Sequence, residues 1–534
     1  MKPIFIFILI LNCLTAHAQK EFHVFPESHR STPGLNSGDG SLLRPWDLQT
    51  ALHQKPEVIN GGDTLWIHAG IYDGRFMSNL KSTIAGKDLV VSAFKNDHVI
   101  LNGNVDSKRD MVLEIKGGHV IYQNFEVTWL GEFSRNESDP TFRKGGGVRH
   151  LTGENVKFYN LKIHDVPGLG FGFWKHGAGS VIEDCMIYNN GYIAKNGKGR
   201  GEGIYVQNKS EQMRWIKNNI IFNNYYKGVE VWSAGKRADF EYVKNITLQG
   251  NIIFNSGNPV GRHYDNIIVA SADRNGINVA KNIKLLDNVL YHNLDVKGRL
   301  GDGPALTLGF NKNAPIGNVL VEDNVILGRS DGLRILHANS ITVKNNLIHS
   351  GFVHMSNENP KYIDNWTFNN NTYFVKSPTP FRMIGYKNNT VDDWKMAYGL
   401  DKNSSFNKSD ELSLPNVLKL QRSEQNPNKF HVVLFGMDEK DLTIDFSEYN
   451  IPTGSVFKIS DVENSKNDFV SAKLPESKKV VFPMKTTDFQ RPMHNDKAVK
   501  TPSSFSVFII EFEIPNKEKK TKGLLGRLIE TLGF

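Results

Sequence analysis

One motif recurs along the middle of the chain and constrains its fold more than any other feature. A short apolar strand follows an Asn, as in Asn219-Ile220-Ile221-Phe222 and Asn251-Ile252-Ile253-Phe254. The same register returns at Asn160, Cys185, Asn288, Asn324 and Asn346. The steps between successive positions range from 22 to 37 residues. The shortest step is about the length of one coil, and the other steps exceed it by variable amounts. This pattern indicates a repeating coil that carries loop insertions.

The apolar and polar residues alternate with a period of two, which predicts strands rather than helices. One such coil cannot bury its apolar face alone, so coils must stack, with equivalent strands about 4.8 Å apart. An Asn at each coil corner can then hydrogen-bond to its copies above and below. We therefore predict a parallel solenoid in which Cys185 is a buried member of the Asn row.

The first eighteen residues have the pattern of a signal peptide rather than of folded structure. Lys2 precedes an apolar run from Ile4 to Leu14, and Ala16-His17-Ala18 has the small-x-small form of a cleavage site. The run is too short to cross a bilayer as a helix. We expect a secreted or periplasmic protein without membrane insertion.

Composition excludes two classes of protein. The sequence has two cysteines, which excludes a disulfide scaffold. A formal charge of +8 is modest for 534 residues and does not by itself indicate a nucleic-acid partner. We predict no nucleic-acid binding, although the basic excess weakly favours an acidic partner.

The repeat resembles the secreted right-handed parallel β-helix proteins of the pectate-lyase-like superfamily. The segment before it adds to the resemblance: Pro45-Trp46-Asp47-Leu48 is similar to a capping helix, and Gly62-Asp63-Thr64-Leu65 to the entry into the first coil. The resemblance implies an all-β, right-handed parallel β-helix and a carbohydrate substrate.

Changes in pattern along the chain predict five segments. The last of these is a basic tail that we expect to be solvated. Later strands such as Phe430–Phe435 and Phe505–Ile510 alternate and are separated by turn residues, which favours a small β-sandwich. The segments are a signal peptide at 1–18, the β-helix with its N-terminal cap at 19–375, a capping linker at 376–415, the β-sandwich-like domain at 416–515 and the tail at 516–534.

Each coil has a further strand, usually opened by Gly, whose third and fifth positions should point outward. The third positions are Arg149, Gly172, Tyr205, Glu230, Ile268, Thr307 and Arg334, and the fifth include Trp174, Gln207 and Trp232. Outward Trp side chains are costly unless covered, and sugar rings stack on them well. We predict a glycan-binding groove on this face, with long basic inserts forming its rim.

The residue types on this face favour β-elimination beside a uronate. That reaction needs a cation on the carboxylate, a base for the C5 proton and an acid for the leaving oxygen. We assign these roles to candidates that the face offers: Arg149 or Arg334 as the cation, Lys175, His263 or Lys209 as the base, and Tyr205 as the acid. The predicted substrate-binding residues are Trp174, Trp232, Gln207, Lys209 and His337.

The predicted substrate is an anionic poly- or oligosaccharide that contains uronate, sulfated or not. The product would be an unsaturated uronate, formed by a polysaccharide lyase or by an oligosaccharide dehydratase. Glu202 followed by Lys209-Ser210 loosely resembles the β-helix polysaccharide lyases, whose calcium ligands precede a Lys-Ser pair.

Three alternatives remain open. Glu202 and Glu230 could be the two carboxyls of a glycoside hydrolase. A uronate C5-epimerase shares the proton abstraction of a lyase, and some β-helices only bind glycans.

We predict no certain cofactor. Glu202, Glu230 and Asp265 could bind Ca²⁺ through their carboxylates, although the sequence has no Asp-rich loop. The histidines are scattered without the spacing of zinc ligands.

Overall fold

The computed structural model describes residues 19–294, 301–464 and 470–514. Within these residues the chain forms three long sheets of twelve strands each, named here A, B and C in the order in which each coil visits them. Neighbouring strands are parallel and come from successive coils, except that Lys387–Asn389 pairs antiparallel with Phe381–Ile384 at the end of sheet C. The right-handed parallel β-helix predicted from the sequence is confirmed. The predicted signal peptide and the predicted basic tail lie outside the described residues.

The strands of the three sheets are short, and their inward residues fill a continuous apolar core. Sheet A consists of Glu21–Val24, Thr64–Ile67, Leu89–Ala93, Val120–Gln123, Lys157–Tyr159, Val181–Glu183, Arg214–Lys217, Lys244–Gln249, Lys281–Leu286, Gly317–Glu322, Ile341–Lys344 and Trp366–Asn369. Sheet B consists of Gly70–Asp73, Val99–Asn102, Glu126–Thr128, Lys162–His164, Met186–Tyr188, Ile220–Phe222, Ile252–Phe254, Val289–Tyr291, Val325–Leu327, Leu347–Ser350, Thr372–Val375 and Ser405–Lys408. Sheet C consists of Phe76–Ser78, Met111–Ile115, Gly146–Thr152, Phe171–His176, Ile204–Val206, Val229–Ser233, Ile267–Ser271, Leu306–Leu308, Leu333–Ile335, Val353–Ser356, Phe381–Ile384 and Lys387–Asn389.

A ladder of buried Asn side chains runs along the corner between sheets A and B, as predicted. Each Nδ2 donates to the Oδ1 of the next Asn at 2.9–3.0 Å. The ladder runs through Asn219, Asn251, Asn288, Asn324, Asn346 and Asn371, and Cys185 precedes it in the same register. These bonds satisfy polar groups inside the stack, where water cannot reach them.

The ladder differs from the predicted one at its start. Asn160 lies outside it, in a left-handed turn with φ of 50°, and Leu161 is the residue that precedes Cys185 in register. Asn tolerates the left-handed conformation better than most residues, so the turn explains why an Asn stands one position early.

The N-terminal cap is built around the helix Leu48–Leu52. Asp47 caps this helix by accepting a hydrogen bond from the Thr50 amide at 2.9 Å. Gln49 then bonds the backbone of Met77 in both directions, at 2.9 and 3.1 Å. The cap thereby satisfies the first strand of sheet C, which no earlier coil covers.

The coil stack extends beyond residue 375, where the sequence analysis places a linker. Phe381–Ile384 and Ser405–Lys408 pair in parallel with sheets C and B. Between them lies the helix Val391–Tyr398, and its buried Trp394 stacks on Phe381 with ring centroids 4.4 Å apart. The helix insertion breaks the repeat pattern in the sequence, although the last coil is present in space.

The C-terminal domain contains two antiparallel sheets with an apolar cluster between them, which agrees with the predicted sandwich. Its larger sheet has the order Val417–Arg422, Lys429–Phe435, Phe505–Glu513, Val456–Asp461 and Val470–Lys473, and the smaller pairs Leu442–Asp445 with Lys479–Phe482. The remaining elements are the hairpin of Tyr192–Ile193 with Gly199–Arg200 and the 3-10 helices Asn258–Val260, Asn359–Asn365, Ser409–Glu411 and Val462–Asn464.

This domain packs on the outer face of sheet B. The ring of Phe505 stacks on Tyr291 with centroids 3.8 Å apart, within a cluster that joins Phe222 and Phe254 to Val433 and Val507. The middle strands of sheet B, from Met186–Tyr188 to Val325–Leu327, are therefore covered on both sides, and the outer face of sheet C is free of this domain's apolar cluster.

Candidate active site

The outward side chains of sheet C form one row across successive coils. Strand pairing places in register Glu114, Arg149, Gly172, Tyr205, Glu230, Ile268, Thr307, Arg334, His354 and Arg382. The residues on either side of this row, such as Ile204 and Val206, are fully buried. The predicted alignment of third positions is confirmed by these pairings.

A second row lies just before the first one. The Gly203 amide donates to the Lys227 carbonyl, and the Gly228 amide donates to that of Asp265. Glu202, Lys227 and Asp265 are therefore equivalent residues of three consecutive coils. Their side chains meet those of the outward row where Tyr205 and Glu230 lie.

Lys227 connects the carboxylates at the centre of this region. Its Nζ lies 2.6 Å from Oε1 of Glu230 and 3.9 Å from Oδ2 of Asp265. Burial lowers the pKa of Lys227, but the charges of Glu230 and Asp265 outweigh burial and raise that pKa above its usual value. Lys227 is thus a buried, protonated lysine held between two acids.

Asp265 is fixed from the other side by Arg334 and Thr307. Arg334 Nη2 lies 2.6 Å from Oδ1 of Asp265, and Thr307 Oγ1 donates to the same oxygen. Burial raises the pKa of Asp265, but Arg334 and Lys227 hold it below its usual value. Asp265 is therefore ionised and fully occupied by cationic and hydroxyl partners.

Glu202 and Glu230 form an interacting pair of carboxyls. Burial and the negative charge of Glu230 raise the pKa of Glu202 to about 7. Burial also raises the pKa of Glu230, while Lys227 opposes this shift. Because Lys227 bonds to Glu230, we assign the charge of the pair to Glu230 and the proton to Glu202.

Aromatic side chains form the walls around this pair. The Tyr205 hydroxyl accepts hydrogen bonds from Gln207 Nε2 and the Ala234 amide, both at 3.3 Å, and its ring lies 5.3 Å from that of Trp174. A Cβ at Gly172 would lie 2.9 Å from Nε1 of Trp174, so the glycine makes room for the indole.

On the other side, Lys227 Nζ lies 5.5 Å from the ring of Trp232. Trp232 in turn contacts the exposed Phe310 edge to face, with centroids 5.0 Å apart. Aromatic surfaces therefore flank the carboxyl pair in both directions along the row.

Several predicted residues are engaged elsewhere. Arg149 lies two coils from Tyr205 and forms ion pairs with Glu114 and Asp110. Lys175 Nζ lies over the rings of Tyr242 and Phe240, at 4.4 and 5.0 Å.

Three further predicted residues lie at the margins of the site. His263 lies 3.4 Å from Asp302, and burial followed by the charge of Arg329 lowers the pKa of its imidazole. Lys209 is exposed and His337 is half-buried. The structure thus brings together Glu202, Tyr205, Gln207, Glu230, Asp265 and Arg334, with Trp174 and Trp232 beside them.

Sequence reasoning gave no role to Lys227 or Thr307. Lys227 stands three residues before Glu230, and Thr307 occupies a third position, so both were visible in the alignment. Lys144 was also missed, and Arg200 was expected only as part of the basic inserts at the rim; their charges lower the pKa of Glu202 and Glu230, respectively. Only the loop conformations bring these two residues near the pair.

The carboxylates do not fit the predicted calcium set. Lys227 lies between Glu230 and Asp265, and Arg334 with Thr307 occupies the remaining side of Asp265. Within residues 19–294, 301–464 and 470–514, no group of three or more His, Cys, Asp or Glu is placed to hold a metal ion. The positive charges beside these carboxylates are those of the Lys227 and Arg334 side chains.

Comparison with known proteins agrees with the fold. The family model of the right-handed β-helix region matches residues 82–283. No curated protein sequence matches the chain. Residues 82–283 therefore match a right-handed β-helix in both strand pairing and sequence.

Solved structures with similar coordinates share little sequence with the chain. The pectate lyase Pel9A is 14% identical, with a TM-score of 0.45, over 75% of this chain and 83% of its own. A rhamnogalacturonan lyase is 16% identical, with a TM-score of 0.43, over 75% and 91%. A lacto-N-biosidase from Eubacterium ramulus is 12% identical, with a TM-score of 0.41, over 73% and 68%.

No helix in the described part of the chain is long and apolar enough to cross a membrane.

Proposed function

We propose that the protein is a carbohydrate-active enzyme that cleaves a glycosidic bond on the outward face of sheet C. The observation that carries this proposal is the carboxyl pair of Glu202 and Glu230. Glu202 has a pKa of about 7, and Lys227 stabilises the charge of Glu230. Two carboxyls with separated proton affinities are what acid catalysis of glycosidic cleavage requires.

In the favoured reaction, hydrolysis, Glu202 donates its proton to the leaving oxygen. Glu230 then acts as the ionised partner, either on the anomeric carbon or on the attacking water. Glu202 and Glu230 lie on adjacent coils, which stack about 4.8 Å apart, and the charge of Glu230 acts directly on the carboxyl of Glu202. Lys227 holds Glu230 in place. Asp265, which is itself fixed by Arg334, holds Lys227.

The walls support a sugar substrate. Trp174 and Trp232 flank the pair and offer flat apolar surfaces to sugar rings. Lys144 and Arg200 act electrostatically on the carboxyls, which favours a substrate with an acidic unit near the cleaved bond. We propose that the substrate is an anionic poly- or oligosaccharide. The predicted signal peptide would place the reaction outside the cytoplasm.

Elimination beside a uronate is the second candidate, and one observation favours it. The Tyr205 hydroxyl accepts two hydrogen bonds, which leaves its own proton available to a leaving oxygen. Against it, the predicted base Lys175 lies over two aromatic rings, and the cations Arg149 and Arg334 are paired with acids. The residues that elimination needs are therefore less available than the carboxyl pair.

The test uses the purified chain on a panel of uronate-containing and neutral polysaccharides. New reducing ends are measured together with the ultraviolet absorbance of unsaturated uronates. We expect reducing ends without absorbance, and loss of the reducing ends in both Glu202→Gln and Glu230→Gln. Glu322→Gln, which removes a carboxylate on sheet A, is the matched control and should keep full activity.

Each other result has a defined meaning. Absorbance that depends on Tyr205 would establish elimination and overturn hydrolysis. Full activity in Glu202→Gln would overturn the assignment of the acid. An absence of any product from the whole panel, with tight glycan binding, would identify a non-catalytic binding protein.

A further inference from the structure

A crevice separates the C-terminal domain from the β-helix at the corner of sheets A and B. Its volume is about 720 Å³. A second cavity of about 300 Å³ continues it and shares with it the lining residues Asn160, Asp184, Asn426, Lys429 and Glu511. Together they have the size of pockets that bind ligands, which are about 300–1,000 Å³. We call this space the interdomain crevice.

Six carboxamide side chains line the interdomain crevice. Both domains contribute them: Asn96, Gln123, Asn124, Asn160, Gln425 and Asn426. A carboxamide donates and accepts hydrogen bonds at once, and so does a sugar hydroxyl. The lining therefore matches a ligand with many hydroxyls, each of which can both donate and accept a hydrogen bond.

The charged groups in the interdomain crevice are of both signs and nearly equal in number, three lysines against four acids. Lys95, Lys429 and Lys458 face Asp97, Asp184, Glu511 and Glu513. A site for a polyanion would concentrate one sign of charge. The balance favours a neutral ligand, unlike the surroundings of the active site.

Tyr159 gives the interdomain crevice an apolar surface. It lies at an outward, half-buried position of Lys157–Tyr159, next to the fully buried Phe158. Polar groups around one aromatic side chain are the usual composition of a sugar site, because the ring face packs against C–H groups and the amides bind hydroxyls.

The floor of the interdomain crevice is fixed and incompletely paired. Asp184 is 2% exposed and accepts a hydrogen bond from Ser423 Oγ, which joins the two domains. Its Oδ1 has no hydrogen-bond partner in the part of the chain that the structure describes. Lys429 Nζ donates to Asn160 Oδ1 at 2.7 Å. A buried acid that lacks one partner is expected where a ligand or water completes the site.

We propose that the interdomain crevice is a non-catalytic binding site for a neutral oligosaccharide. It lies on sheets A and B, whereas the carboxyl pair lies on sheet C, so both sites can be occupied together. The neutral glycan is either a stretch of the polysaccharide that the enzyme cleaves or a separate polysaccharide that surrounds that substrate. Both sources present the same hydroxyl chemistry to the carboxamides.

The test measures binding to the full chain with the Glu202→Gln substitution, which prevents turnover. Neutral hexasaccharides of glucose, mannose, xylose and galactose serve as probes in calorimetric titrations. We expect at least one to bind, and Tyr159→Ala to raise its Kd about tenfold or more. Gln425→Trp, at an exposed position, should block the crevice without touching the core.

Trp174→Ala on the active face is the matched control and should leave this binding unchanged. Equal thermal unfolding of the variants excludes loss of the fold as the cause. No binding of any probe at millimolar concentration overturns the proposal, as does binding that Trp174→Ala abolishes but Gln425→Trp does not. These outcomes do not depend on whether the carboxyl pair hydrolyses a glycan.

A kinetic arm distinguishes the two sources. In the catalytically intact chain, Tyr159→Ala should raise KM for a long polymer but not for a short oligomer if the crevice holds the cleaved chain. If it holds a separate glycan, KM should stay constant for both while binding of the neutral probe is lost. A change for the oligomer alone would contradict a site distant from the cleaved bond.

Discussion

At the scale of single residues, the candidate active site depends on how buried charges are compensated. Three acids and two cations meet within a few side chains, and the position of Lys227 decides which acid is charged. It lies 2.6 Å from Glu230, so the remaining proton belongs to Glu202, whose pKa is about 7. The pair is therefore poised for acid catalysis near neutral pH.

The pKa of Glu202 predicts a falling alkaline limb of activity. A general acid acts only when protonated, so kcat/KM should decline as the pH rises through about 7. Glu202→Gln should lose activity by about 100-fold or more and no longer show this limb. The measurement is a pH profile of initial rates for both chains. A limb that persists in the residual activity of Glu202→Gln would assign it to another group.

Removal of Lys227 should damage both stability and activity. Lys227→Met leaves Glu230 and Asp265 buried without their shared cation, which costs about 3–5 kcal/mol. Denaturant unfolding measures the cost, and Lys227→Arg is the control that keeps the charge. Unchanged stability in Lys227→Met would mean that the lysine does not compensate the acids.

At the scale of elements, the β-helix is specified by stacking rather than by any one coil. The Asn ladder bonds each coil to the next, and aromatic rings stack along sheet B, as Tyr188, Phe222 and Phe254 do with centroids 4.9 Å apart. Cys185 fits at the start of the ladder because its small side chain also accepts from backbone, with the Leu161 amide 3.4 Å from Sγ.

A break in the ladder should weaken the two neighbouring coils together. Asn288→Ala removes the acceptor of the Asn251 amide and the donor to the Leu248 carbonyl. Each buried group left unpaired costs about 1–3 kcal/mol. Denaturant unfolding should detect this loss, whereas the exposed Asn339→Ala should cost less than about 0.5 kcal/mol. Equal effects of the two changes would contradict a structural role for the ladder.

At the scale of the whole molecule, buried acids lie where the C-terminal domain docks on the β-helix. Asp461 and Glu463 share the cation of Lys500, at 2.8 and 3.6 Å. Burial raises the pKa of Glu463 to about 7. The folded state therefore binds this proton more tightly than the unfolded chain does, and the interface is most stable when Glu463 is neutral.

Stability should consequently fall as the pH rises from about 4.5 through about 7. The slope from one carboxyl is at most about 1.4 kcal/mol per pH unit. Glu463→Gln should flatten the curve and raise the Tm above that of the native chain at alkaline pH. Glu476→Gln, at an exposed position, is the control. A Glu463→Gln curve parallel to the native one would exclude Glu463 as the titrating group.

The sequence by itself determined the repeat, the stacking of parallel coils and the outward row of sheet C. These follow from a period of two and from turn residues at fixed offsets, which are local properties that stacking only repeats. The roles of Glu202, Lys227 and Asp265 were decided by the tertiary structure. They stand 25 and 38 residues apart in the sequence, and only the lengths of the intervening loops bring them into one row.

The same reason explains which predicted roles changed. A sequence shows that Arg149 and Arg334 point outward but not which acids they meet, because ion pairing depends on distances of a few ångströms between coils. The last coil was missed because a helix interrupts its pattern, and the interdomain crevice because two distant segments form it. The period of the repeat can be read from the sequence, whereas charge compensation and cavities arise only where distant segments of the chain meet in the folded protein.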